Sequence, residues 1–228
     1  MIIIDHYSIG FDFEKQLSTL NSQPSIMVLD DTYEKHYCDI LLNHNISADK
    51  KRYKNLVPKN CELRCGSKYT LLREEFYKEK KKIKRKKQFS NPNSQISIFI
   101  AMGGADTAKL NIPILKILKK LDNIKVTLVT TSSNNNLNIL QNYCKNKKWI
   151  NLHIDSNKIA KLMRKSDFGI ITPSVTANEL YFMNIPFVAI KTADNQKDMV
   201  KFLKNKKYLT MGKFNKGKLT QSLTKLIK

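Results

Sequence analysis

Three short stretches concentrate residue types that hold phosphates and sugars. Met102-Gly103-Gly104-Ala105-Asp106 places a glycine pair directly after an apolar run. Glycine lets the backbone turn tightly and lets an anion approach its amides. No G-x-G-x-x-G and no Gly-Lys-Ser/Thr follows, so this is neither a dinucleotide fingerprint nor a Walker loop. Thr130-Thr131-Ser132-Ser133-Asn134 is rich in small hydroxyls, and Thr172-Pro173-Ser174-Val175-Thr176-Ala177-Asn178-Glu179 follows another apolar run. Ser174 is a good N-cap, and the amides of Val175 and Thr176 would then open a helix unpaired. A helix start carries about half a positive charge, which favours a phosphate. Glu179 lies about one turn further in, where a carboxylate can accept both hydrogens of a vicinal diol such as ribose. Taken singly, these are a Gly-Gly turn and a capped helix. Taken together they suggest a nucleoside diphosphate, with phosphates on Gly103, Gly104 and Ser174–Thr176 and ribose on Glu179. Asn195-Gln196 follows a later apolar run and is either a polar helix cap or a contact to the group attached to the diphosphate.

The elements that must position these loops alternate. Strands are expected at 95–101, 125–130, 149–154, 168–171 and 186–190. Helices are expected near 107–121, 137–145, 157–164, 174–183 and 195–205. Strand and helix in repeated alternation predict a parallel sheet with helices on both faces. In such sheets ligands bind outside the carboxyl ends of the strands, which is where all of these loops fall. Upstream, Ile2–Ile4, 25–29 and 39–43 read as strands and 11–20 as a helix, with Phe13, Leu17 and Leu20 at helical spacing. Residues 71–77 form a mixed run. The turn-forming stretch 88–94 marks a domain boundary, with residues 1–87 forming one domain and 88–228 the nucleotide-binding one.

Composition narrows the classes. The chain has 228 residues, 41% of them hydrophobic, enough for a packed core. No run approaches the length of a transmembrane helix, and Met1-Ile2-Ile3-Ile4-Asp5 has no basic n-region of a signal peptide. The formal net charge is +22. That charge comes mostly from lysine spread through nearly every segment, with Arg52, Arg64, Arg73, Arg85 and Arg164 as the arginines. Planar bidentate readers of phosphate and bases favour arginine. The exception is the dense run Lys78–Lys87, which reads as a solvated helix end and linker. No RNA-binding aromatic signature accompanies it, so no nucleic-acid partner is expected. Cys38, Cys61, Cys65 and Cys144 lack metal or redox spacing and read as free thiols of a cytoplasmic protein.

The residues also resemble a family. Ile159-Ala160-Lys161-Leu162-Met163, the 167–171 strand, Ser174 through Glu179 and Pro186-Phe187-Val188-Ala189-Ile190 are similar to the carboxyl-terminal half of GT-B sugar-nucleotide enzymes, such as the peptidoglycan N-acetylglucosaminyltransferase. Ile3-Ile4-Asp5-His6-Tyr7, Cys38 through Asn43, Arg64-Cys65-Gly66, Leu72-Arg73-Glu74-Glu75-Phe76-Tyr77, Met102-Gly103-Gly104, Ile154-Asp155 and Asn195-Gln196 resemble, in order, the UDP-sugar hydrolases of pseudaminic acid biosynthesis.

The resemblance implies an α/β, GT-B-like fold of two Rossmann-like domains with a cleft between them. It implies hydrolysis of the bond from the anomeric carbon to the UDP oxygen, with no cofactor and no metal. It places uracil on the backbone of Ile159, the diphosphate on Gly104, Ser174 and Val175, ribose on Glu179, and the sugar beside Tyr7 and Asn195. The family's base is a histidine in a Gly-x-Gly-His loop, and no such motif occurs here. His6 and His36 sit in matching segments without being that base. The first strand resembles the family's fourth. A complete carboxyl-terminal domain with a truncated amino-terminal one is therefore expected, poorly stable alone over residues 1–76. Activity is expected to be impaired or to need a separately encoded amino-terminal segment as partner. The alternatives are a non-catalytic nucleotide-binding fragment and a GT-B glycosyltransferase using a UDP-sugar.

Overall fold

The structure, a computed structural model, describes residues 1–83 and 95–227. They form two compact units, Met1–Leu71 and Leu72–Lys228. The boundary expected at residue 88 and the turn-forming stretch around it lie outside the described residues.

Unit 1 contains β1 (Ile2–Ile4), α1 (Phe11–Ser18), β2 (Ile26–Leu29), β3 (Ile40–Asn43) and β4 (Glu62–Cys65). Its sheet is parallel, in the order β1-β2-β3-β4. Ile4 pairs with Val28, Val28 with Leu41, and Leu41 with Leu63, which sets one apolar row across the sheet. That row packs with Ile26 and Tyr53 as the core of the unit. β4 was not read from the sequence. It is an edge strand with no buried residue, and Glu62 and Arg64, two apart and so on one face, pair with each other at 2.8 Å.

A buried polar cluster ties α1 to the segment after β2. Glu14 is fully buried. Its Oε1 lies 2.8 Å from His36 Nδ1, and its Oε2 accepts the Tyr37 amide at 2.7 Å. His36 Nε2 lies 3.8 Å from Asp30 Oδ1, too long for a hydrogen bond but within ion-pair range. Asp30 in turn accepts the Thr32 and Tyr33 amides and the Tyr53 hydroxyl. Burial alone would depress His36, but the Asp30 and Glu14 carboxylates outweigh it and lift its pKa to about 9. Burial likewise opposes the charge of Asp30, yet His36, Thr32 and Tyr53 hold its carboxyl far below the usual range.

Unit 2 begins with α2 (Glu74–Lys80), which packs on α5 (Ile159–Arg164). Glu79 pairs with Arg164, and Tyr77 stacks edge-on against Phe182 with centroids 4.9 Å apart. The remaining elements are β5 (Ile96–Ala101), α3 (Asn111–Leu118), β6 (Ile124–Thr130), α4 (Leu137–Cys144), β7 (Ile150–Ile154), β8 (Phe168–Ile171), α6 (Val175–Phe182), β9 (Phe187–Ile190), α7 (Lys197–Asn205), β10 (Leu209–Met211) and α8 (Lys216–Ile227). The sheet is parallel throughout, as expected, and runs β7-β6-β5-β8-β9-β10. Both faces of β8 and β9 are buried, which is why Phe-Gly-Ile-Ile and Phe-Val-Ala-Ile read as continuous apolar runs.

α3 starts at Asn111, four residues later than expected. The Asp106 carboxylate accepts the Leu110 and Asn111 amides at 2.9 and 3.0 Å and holds the preceding residues in a turn. β10 and α8 were not anticipated. β10 has three residues, and α8 is lysine-rich, buried only at Leu219 and Leu223. Among the described residues no helix is long and apolar enough to cross a membrane.

The His36 cluster makes unit 1 sensitive to alkali. The histidine's ordinary pKa is 6.5 and its folded value about 9. Its contribution is therefore complete below pH 6.5 and is lost as pH rises through 9. The protection factors of the β2 and β3 amides in hydrogen exchange, corrected for the intrinsic rise in rate with pH, should fall over that interval. Replacing His36 by Ala should cost about 3–5 kcal/mol, because Glu14 stays buried without its partner, and should flatten the pH response.

Candidate functional site

The strand order of unit 2 locates its crevice. From β5 the chain moves to β6 and β7, then returns to place β8 on the other side of β5. The loops after β5 and β8 therefore leave neighbouring strand ends in opposite directions. In an open parallel sheet this switch point is where ligands sit. The loop after β5 carries Gly103 and Gly104, and the loop after β8 carries Thr172, Pro173 and Ser174.

The first loop is held by the end of β6, through one hydroxyl and one amide. Thr130 Oγ1 donates to the Gly104 carbonyl at 2.8 Å, and the Thr131 amide donates to the same oxygen at 3.1 Å. A Cβ on Gly104 would lie 2.9 Å from Thr131 Oγ1, so a larger residue here would force the Thr131 side chain to shift. Gly103 has φ +81, a left-handed conformation that turns the chain away from β5. The hydroxyl-rich loop is anchored as well. The Ser132 amide donates to the Asp155 carboxylate at 3.0 Å, and Asn134 Nδ2 donates to Thr130 Oγ1 at 3.0 Å.

The second loop opens α6. Ser174 occupies the N-cap position, but its side chain makes no capping bond. Its Oγ lies 3.3 Å from Thr172 Oγ1 instead, while its carbonyl accepts the Ala177 amide at 2.8 Å. The Val175 and Thr176 amides thus have no partner among the described residues, and Val175 is exposed. One turn further, Glu179 is half-buried. Burial pushes its carboxyl up to about 7, with Arg73 opposing and Glu75 adding to the rise. Arg73 and Glu75 form an ion pair of 2.7 Å at the start of α2. In the sequence they stood only as part of a family motif, and no spacing ties residue 73 to residue 179.

The other expected residues are placed as follows. Ile159 is the first residue of α5, following β7 at the same edge of the sheet. Asn195 is exposed in a 3-10 turn after β9. Gln196 in that turn uses its carboxamide oxygen to accept the Thr192 and Ala193 amides at 2.8 and 3.2 Å, closing its own loop. Tyr7, in unit 1, is exposed and donates its hydroxyl to Asp31 Oδ1 at 3.2 Å. The Asp31 charge raises the Tyr7 pKa above its ordinary value. Tyr7 lines a pocket of about 180 Å³ with Asp5, His6, Asp30, Asp31 and His36, formed where β1 and β2 end.

No family model matches the chain. It is 41% identical over 208 residues to the UDP-2,4-diacetamido-2,4,6-trideoxy-beta-L-altropyranose hydrolase of Campylobacter jejuni, an alignment spanning 91% of this chain and 72% of that enzyme. The chain belongs to this hydrolase family. An uncharacterised protein of Methanocaldococcus jannaschii is 31% identical over 205 residues, covering 87% of this chain and 41% of its own length.

The folds of solved structures agree with a GT-B-like α/β fold for this hydrolase-family member. MurG of Acinetobacter baumannii aligns with TM-score 0.59 and 13% identity, covering 95% of this chain and 61% of its own. A Listeria monocytogenes protein described as a UDP-N-acetylglucosamine 2-epimerase gives TM-score 0.59 and 11% identity, over 92% of this chain and 62% of its own. The kitacinnamycin glycosyltransferase gives 0.56 and 10%, over 93% and 48%. The chain thus spans about half to three-fifths of the length of these solved proteins.

The Gly104–Thr131 approach yields a direct test. Gly104→Ala should destabilise unit 2 by about 1–3 kcal/mol, the usual cost of overpacking, measured by urea denaturation. Thr131→Ala in the same chain should recover part of that loss, because it removes the clashing hydroxyl and methyl.

Proposed function

We propose that this hydrolase-family chain binds the UDP moiety of a UDP-sugar at the switch point of unit 2 and supports hydrolysis of the sugar from UDP. The observation that carries the reading is the convergence of the Gly103–Gly104 loop, the uncapped start of α6 and Glu179 at the ends of the neighbouring strands β5 and β8. The diphosphate is assigned to Gly103, Gly104, Ser174, Val175 and Thr176. Ribose is assigned to Glu179 and uracil to the backbone of Ile159. Asn195 is assigned to the sugar, with Gln196 holding the Asn195 turn. In the reaction, water adds to the anomeric carbon, the bond from that carbon to the UDP oxygen breaks, and UDP leaves. The sugar released is the 2,4-diacetamido-2,4,6-trideoxy-altropyranose of the C. jejuni relative's name, a step that fits pseudaminic acid biosynthesis and flagellin glycosylation.

A second reading, binding without turnover, is favoured by one observation. The base that the resemblance implies is a histidine in a Gly-x-Gly-His loop, and this sequence contains no such motif. A missing general base would remove about 10²–10⁴-fold of rate. UDP release from the UDP-sugar decides between the readings. Release by the chain supports hydrolysis, binding without release supports the second reading, and release only with a sugar acceptor indicates glycosyl transfer.

Calorimetric titration with UDP tests the site itself. Saturable binding is expected, and none at millimolar UDP refutes the assignment. Glu179→Ala should weaken binding by about 1–3 kcal/mol, the cost of unpaired hydroxyls.

Glu179 must be ionised to accept both ribose hydroxyls, and its carboxyl sits near 7. UDP affinity should therefore rise from pH 6 to pH 8 and then level off. The terminal phosphate of UDP titrates nearby, so the difference between the parent protein and Glu179→Gln carries the test. The variant should lose most of the rise.

A further inference from the structure

Unit 1 holds a thiol pair that the spacing of cysteines along the chain conceals. Cys38 precedes β3 and Cys61 precedes β4, and their sulfurs lie 3.7 Å apart. The backbone around them is already fixed in register. The His36 amide donates to Leu56 O at 2.8 Å, and the Glu62 amide donates to Asp39 O at 2.8 Å. Ile40 is paired with Glu62, so Cys61 faces Asp39 and lies one residue diagonally from Cys38. A strand spacing of about 4.8 Å and a rise of about 3.3 Å per residue give a Cα separation of about 5.8 Å. That lies at the centre of the range that disulfides span, about 5.5–6 Å. Cys65 is four residues along β4 from Cys61, about 13 Å away at that rise, and cannot compete.

We propose that Cys38 and Cys61 form a reversible disulfide across the entry to β3 and β4, and that this pair is a redox modification site of the protein. The oxidant is a low-molecular-weight disulfide such as glutathione disulfide. Cys61, partly exposed, attacks one sulfur of the oxidant as its thiolate, and one glutathione leaves and takes up a proton. Cys38, buried beside it, then attacks the Cys61 sulfur of the mixed disulfide and expels the second glutathione. Two protein thiols are oxidised and one disulfide is reduced to two thiols.

The electrostatics suit this order. The hydrogen bond from Cys38 lowers the Cys61 thiol, whereas the Cys61 sulfur, ahead of burial, raises Cys38. Once Cys61 is capped, that first cause of the Cys38 shift is gone, while burial and the Glu14 and Asp39 charges still hold the thiol up, so resolution by Cys38 is the slower of the two steps.

The test uses the full chain, folded, in glutathione buffers of increasing disulfide fraction, quenched by alkylation and mapped by mass spectrometry. A Cys38–Cys61 linked peptide is expected, with Cys65 and Cys144 alkylated and the link reversed by dithiothreitol. Closing a loop of roughly two dozen residues should raise the melting temperature of unit 1 by on the order of 10 °C. Cys61→Ser should abolish the link and leave Cys38 unmodified. A persistent glutathione adduct on Cys61, a link through Cys65, or no oxidation in excess glutathione disulfide would each overturn the proposal. None of these readouts depends on UDP binding, so they stand apart from the nucleotide assignment.

Discussion

A parallel strand cannot pair with its successor through a tight turn, and that constraint shapes the whole molecule. Each strand of both sheets must be followed by a return path before the next can begin. Every loop that leaves a strand's carboxyl end therefore emerges along one edge, and every return enters along the other. The Gly103–Gly104 loop, the hydroxyl-rich loop after β6, the start of α5, the start of α6 and the Asn195 turn share an edge for this reason alone. In unit 1, Cys38 and Cys61 meet at the entry edge of that unit's own sheet, before their strands start.

The same constraint explains what could be read from sequence. A strand buried on both faces leaves an unbroken apolar run, so the strand expected at 168–171 coincides with β8. β4 escaped because none of its four residues is buried and its Glu62–Arg64 pair breaks the apolar pattern. The phosphate-side loops were legible because Gly-Gly and Ser-Val-Thr carry their chemistry locally. Arg73 beside Glu179, Asp155 beneath Ser132 and Glu14 against His36 were not legible. Each joins residues more than twenty positions apart through packing, and no period in the sequence encodes that.

Charge is organised differently in the two units. In unit 1 a buried histidine is kept charged against burial by two carboxylates, which fixes its geometry. In unit 2 a carboxyl is left half-buried near neutrality with an arginine and a second acid beside it. The first arrangement spends its polar atoms on itself. The second leaves acceptor oxygens available, as the proposed ribose contact requires.

The turn at Asp106 carries one further implication. Its carboxylate occupies the amides at the beginning of α3, the position that cradles pyrophosphate in many nucleotide-binding sheets. The protein has in effect supplied that helix with a counter-ion of its own. α6, whose first amides meet no side-chain acceptor, keeps its positive end uncompensated. Of two helices flanking one crevice, only the one after β8 keeps its first amides without a protein acceptor among the described residues, so the chain has neutralised one helix start and left the other polar.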